Sequence, residues 1–231
     1  MNAILRVIVG VLLGFLVLVI CGAVASIIML TGIVKSSPSL AAFTHTLMAI
    51  LSLILIYLFS KGKMSTYGLK RVRLRALIRP SAISLVVGGV LIIVQILLRL
   101  DAKPEFLAEF SVLQIVVLIC VYASIAEELL TRGFLQSILA PLTKKGLTIF
   151  RTYLSVPVLV SAVFFGLMHL VQMIEGVGSA TVLYTIMSAV ILGIIAGYYR
   201  EKTGSIIPAI VVHMLFNVWG VVGMFLDGLG G

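Results

Sequence analysis

The chain has 231 residues, of which 61% are hydrophobic and only 11% charged, with a formal net charge of +9. Soluble domains carry about 25% charged residues and disorder needs low hydrophobicity with high charge, so neither a soluble globule nor a disordered chain fits. Cys21 and Cys120 are the only cysteines and both sit in apolar runs, which excludes a disulfide-stapled scaffold. The composition reads as an all-α, polytopic transmembrane helix bundle, a single integral membrane domain over 1–231.

Charge-free stretches mark the spans in chain order. Val7–Val34, Ser36–Ser60 and Pro80–Leu98 predict the first three, Phe110–Ala126 the fourth, and Thr152–Ile174, Gly176–Tyr199 and Thr203–Leu226 the last three. They hold 17 to 28 residues each, against the ~20 that a helix needs to cross the hydrocarbon core. The fourth is interrupted by two acids and is expected to run past them toward Leu142. Ala23-Val24-Ala25 resembles a signal-peptide cleavage site, but the apolar run before it exceeds the about 7–15 residues of such a peptide. The first segment is therefore read as a spanning helix.

Seven spans place Met1–Arg6, Lys61–Arg79, Leu142–Arg151 and Arg200–Lys202 on one side, with thirteen Lys and Arg between them. The other side receives Lys35, Arg99 and Lys103, together with Asp101, Glu105, Glu109, Glu175 and Asp227. The positive-inside rule then predicts an N-in, C-out protein. The basic excess belongs to this topology: the bilayer is the expected partner, and nucleic acid is not. Lys61–Arg79 alternates basic with apolar residues and reads either as an interfacial helix on the anionic leaflet or as a plain topogenic loop. Gly193-x-x-x-Gly197 permits close helix packing.

Ionisable groups inside a spanning helix cost about 2.5–3.5 kcal/mol each and are functional by default. The fourth span carries Ala126-Glu127-Glu128-Leu129-Leu130-Thr131-Arg132-Gly133. Glu128 and Arg132, spaced i,i+4, can pair along one face. Glu127 points elsewhere, since successive residues diverge by about 100°, and is free to face a cavity. Phe165 and His169 share a face in the fifth span, as do His213 and Asn217 in the seventh. His45, in the second span, has nothing ionisable near it in sequence and is expected to be a hydrogen-bonded packing residue. One carboxylate, two histidines and an amide from three helices allow three chemistries. A carboxylate and a histidine can activate a water, with the second histidine and the amide holding an oxyanion. Two His and one Glu, here Glu127, His169 and His213, can ligate zinc, although the His-Glu-x-x-His spacing is absent. The same groups can relay protons in a transporter, a reading that inverted repeats would support and that the sequence does not show.

Glu127-Glu128-x-x-x-Arg132, Phe165-x-x-x-His169 and His213-x-x-x-Asn217 together resemble the three motifs of the CPBP intramembrane proteases. That family includes the CAAX prenyl endopeptidases and the Abi-type proteins tied to bacteriocin processing and immunity. The resemblance covers Leu113–Val222, a protease-like core. It implies a peptide-bond hydrolase with Glu127 activating water, His169 assisting, and His213 with Asn217 as the oxyanion hole. Glu128, Arg132 and Phe165 would support the site. No cofactor is favoured and zinc stays possible; Asn217 is a better amide donor than zinc ligand. The substrate would be a CAAX-type tail or a bacterial leader, pheromone or bacteriocin-related peptide. The compact chain looks more like the bacterial type, in the plasma membrane. A non-proteolytic scaffold or immunity protein that binds a peptide or a sensor kinase is the alternative.

At about 1.5 Å per residue from the inner flanks, straight helices would leave Glu127 and His169 about 10 Å deeper than His213. Gly133 is therefore expected to break or bend the fourth helix. Ser155-Val156-Pro157 is expected to delay or kink the fifth, with a short interfacial segment within Gly133–Pro157.

Overall fold

The computed structural model of the chain describes residues 2–34, 36–100, 105–174 and 176–227. Lys35, Asp101, Lys103 and Glu175, counted above among the outer charges, lie outside the described residues. Seven helices among the described residues are long and apolar enough to cross a membrane, as the charge-free stretches predict. They are α1 Ala3–Thr31, α2 Ser37–Ser60, α3 Arg75–Leu97, α4 Val112–Ile138, α5 Val156–Met173, α6 Ser179–Thr203 and α7 Ile207–Asp227.

α4 is the centre of the bundle and touches α1, α2, α5, α6 and α7. Its Leu130, Phe134, Leu135 and Leu139 flank are fully buried beside Ile56 of α2 and Phe164 of α5. The expected break at Gly133 does not occur: α4 runs through it to Ile138. A break there would strand backbone polar groups in the apolar interior. Gly133 serves packing instead, since a Cβ would lie 2.9 Å from Ile56 Cδ1. The adjustment is spread over π-helical turns at Ile115–Ala123 and Leu129–Leu135, with the α-helical Ser124–Glu128 between them. Such turns rotate the side chains that follow and gather at functional sites.

The expected delay of the fifth helix is present. Ser155 caps α5, its Oγ accepting from Val158 N at 3.3 Å, with Pro157 in the first turn. The residues before it, predicted as the start of the span, are the second strand of a hairpin. β1 Gly146–Ile149 pairs antiparallel with β2 Thr152–Ser155. Both residues of its turn, Phe150 and Arg151, have positive φ, 44° and 66°, the geometry of a type I′ turn.

No interfacial helix forms over the basic run before α3. A single 3₁₀ turn, Met64–Tyr67, ends at Gly68 with φ 91°, and α3 starts at Arg75. This segment is hydrogen-bonded to the α6–α7 turn: Ile206 N donates to Gly68 O (3.0 Å) and Ser205 Oγ to Lys70 O (2.6 Å). Arg200 Nη2 donates to Ser137 Oγ (2.6 Å), and Arg6 Nη1 to Ile138 O (3.3 Å). All four predicted inner segments thus meet at one end of the bundle.

Candidate active site

Glu128 and Arg132 form the i,i+4 pair that their spacing predicts. Arg132 Nη1 donates to Glu128 Oε1 at 2.8 Å and to Thr131 Oγ1 at 2.8 Å, and both charged side chains are fully buried. Arg132 also lies over the Phe165 ring, 4.8 Å from its centroid. Phe165 in turn meets His169 and His213 edge-on, with centroids 5.2 and 5.1 Å apart. It is the aromatic partition that holds α4, α5 and α7 together at the site.

The histidines share one design. A carbonyl oxygen can only accept, so the ring nitrogen against it must donate. His169 Nδ1 lies 3.0 Å from Phe165 O, and His45 Nδ1 lies 2.8 Å from Ala41 O. His213 Nδ1 lies 3.0 Å from Glu128 Oε1, a carboxylate oxygen already bonded to Arg132. In all three rings Nδ1 carries a proton and Nε2 is left for other partners.

Glu127 receives two of them. His213 Nε2 is 3.9 Å from Glu127 Oε2, and His45 Nε2 is 3.6 Å from Glu127 Oε1. The two glutamates therefore diverge, as helix geometry requires, yet reach opposite nitrogens of one imidazole. His169 is close enough to interact electrostatically with Glu127. His45 makes the hydrogen bond expected of a packing residue, and α2 also brings its Nε2 against an acid 82 residues away in the chain, which the sequence does not suggest.

A cavity of about 190 Å³ opens among α3, α5, α6 and α7. Phe165, His169, His213 and Asn217 line it, opposite Gly88 and Trp219. Glu127 was expected to face a cavity but does not line this one; His213 lines it and touches Glu127 as well. Asn217 Nδ2 donates to Ile119 O and to Ser124 Oγ, both at 3.1 Å. Ser124 Oγ donates to Cys120 O at 2.7 Å, so it accepts from the amide and fixes its orientation. Both amide hydrogens thus fasten α7 to α4. The residues that could form a zinc set, Glu127, His169 and His213, are brought to one region. Among the described residues, however, no three His, Cys, Asp or Glu side chains are grouped closely enough to share a metal ion.

The residues of the three motifs, Glu127, Glu128, Arg132, Phe165, His169, His213 and Asn217, come together in one region of the fold. The motifs missed His45 and Ser124, whose partners lie on another helix. The only sequence signal for His45 was its presence in an apolar span. No curated protein and no solved structure matches the chain. Residues 109–219 match the family model described as type II CAAX prenyl endopeptidase Rce1-like. The match contains all three motifs and ends two residues past Asn217. Over this stretch, just under half of its length, the chain is similar to the Rce1-like family of CAAX prenyl endopeptidases.

Proposed function

We propose that the protein is an intramembrane endopeptidase in which Glu127 activates a water to attack a peptide carbonyl. The observation that carries this reading is the placement of Glu127 between the free Nε2 faces of His45 and His213. A carboxylate so held is a pre-oriented general base. His169, with Nδ1 fixed by Phe165 O, offers Nε2 as an acceptor for a proton of the same water. The carbonyl oxygen becomes an oxyanion on attack and needs a donor. His213 supplies it when Nε2 is protonated, and the Glu128 carboxylate at Nδ1 balances the imidazolium. Arg132, donating to the same Glu128 oxygen, holds that carboxylate in place for the task. Asn217 fastens α7 so that His213 stays at this height; the oxyanion role implied for it requires one of its two bonds to be exchanged for the substrate. No step in this scheme passes through a metal.

The cavity is smaller than the roughly 300–1,000 Å³ of sites that enclose drug-sized ligands. It suits one or two residues of a peptide strand, with any attached lipid left in the bilayer. The proposed substrates are a CAAX-type tail or, in a bacterial plasma membrane, a leader, pheromone or bacteriocin-related peptide.

The test is cleavage of a farnesylated CAAX peptide by the purified chain in lipid vesicles. Glu127→Gln keeps the side chain's shape and removes the base, so kcat is expected to fall about 10²–10⁴-fold. Wild-type turnover should persist in a zinc chelator. Equal turnover by both proteins, or loss in chelator that zinc restores, contradicts the scheme.

A further inference from the structure

His45 lies on α2, outside the matched residues 109–219, and none of the three motifs gives it a role. Its position is nonetheless tightly set. Nδ1 is held by Ala41 O within its own helix. The register of α2 on α4 is fixed at both ends. Thr46 Oγ1 hydrogen-bonds Tyr122 Oη at 2.8 Å on one side of it. On the other, Ile56 fits against Gly133 and the Phe59 ring meets Phe134 edge-on at 5.5 Å. Glu127 falls between these contacts, and His45 stands next to Thr46, at the outer one.

The charge arrangement is asymmetric. Glu128 has Arg132, an ion that is always protonated. Glu127 has no Lys or Arg within 4.0 Å among the described residues; its partners there are His45 and His213. His213 is shared, because its Nδ1 already belongs to Glu128. His45 is the partner that Glu127 shares with no other acid. Glu127 and His45 are partly buried, their side chains 16% and 17% exposed, and a carboxylate so enclosed is disfavoured without a counter-charge. At 3.6 Å, longer than a hydrogen bond, His45 Nε2 lies within ion-pair reach of Glu127 Oε1 and acts on it as a charge when the ring is protonated.

We infer that His45 is a positioning residue for Glu127: it supplies the counter-charge from α2 and holds Oε1, leaving Oε2, beside His213, to take the proton of the attacking water. The inference rests on the reading of Glu127 as general base. It assigns a working residue to the N-terminal half of the chain, which the three motifs leave as scaffold.

Two measurements on the chain in lipid vesicles test it. The first is turnover of the farnesylated CAAX peptide. His45→Leu should lower kcat about 10²-fold, the scale of a slightly misplaced reacting group, with KM little changed. His45→Gln carries an amide N–H at similar reach but no charge and should recover only part of kcat. The second is the infrared carboxylate band of Glu127, assigned by subtracting the Glu127→Gln spectrum. It should shift or give way to a protonated-carboxyl band in His45→Leu and move less in His45→Gln.

Wild-type kcat with an unmoved band in His45→Leu overturns the inference. So does an equal loss in both His45 variants with an unmoved band, which would mean that His45 only packs α2. If wild type cleaves the peptide no faster than Glu127→Gln, the hydrolase reading fails on that probe. The infrared band then decides the pairing alone: a shift in His45→Leu sustains it and an unmoved band removes it.

Discussion

At the level of single residues, the site is a chain of buried polar groups in which each fixes the next. Arg132 holds Glu128, Glu128 holds His213 Nδ1, and His213 turns Nε2 toward Glu127. Because both members of the Glu128–Arg132 pair are fully buried, removing one leaves an uncompensated charge. Arg132→Met should therefore cost about 3–5 kcal/mol, seen as a lower Tm in detergent. A Tm equal to wild type would show that the pair does not brace the fold. The i,i+4 spacing made Glu128–Arg132 legible in the sequence, because both partners lie on one helix. Glu127–His45 was not legible, because a contact between helices depends on packing that no local pattern records. The tether at Asn217 was hidden for a similar reason: one of its partners, Ile119 O, is a backbone atom, which any residue carries.

At the level of elements, close helix approach is what brings the polar chain together. Gly193 and Gly197 of α6 face α4 and α5. A Cβ on Gly193 would lie 2.8 Å from Ala162 Cα and 2.9 Å from Arg132 Nη2, and Gly197 O accepts from Gln136 Nε2 at 2.9 Å. The small-residue spacing thus serves as a seat for the buried guanidinium as well as a packing face. Gly193→Val should push Arg132 off Glu128 and lower kcat and Tm together, whereas Val at the exposed Gly22, with open space around it, should leave both near wild type. Equal behaviour of the two variants would mean that α6 does not support the site. The π-helical turns of α4 were not legible, since their residues have ordinary apolar character and the widening answers the packing around Glu127 and Glu128. The hairpin was not legible either. Thr152–Ser155 is uncharged and continuous with the apolar run after it, and only the Ser155 cap and Pro157 separate strand from helix.

At the level of the whole molecule, seven apolar helices make a multi-pass integral membrane protein whose basic segments collect at one end. The charge rule assigns that end to the cytoplasm. A single cysteine placed at Arg71, in the basic segment before α3, should resist a membrane-impermeant maleimide in intact cells and react after lysis. Labelling in intact cells would invert the topology. The span count was legible from charge alone, because an apolar segment long enough to cross has few other stable fates. How the spans pack was legible only at the motifs.

The central claim, that this is a hydrolase acting through Glu127, is tested most directly by mass spectrometry of membrane and secreted peptides. The comparison is between cells that express the wild type, Glu127→Gln or an empty vector. New peptide termini found only with the wild type are the predicted result, and they would name the substrate in the same run. Identical peptidomes in all three, with any phenotype retained by Glu127→Gln, would contradict the claim and leave the polar cluster as a binding or structural cavity.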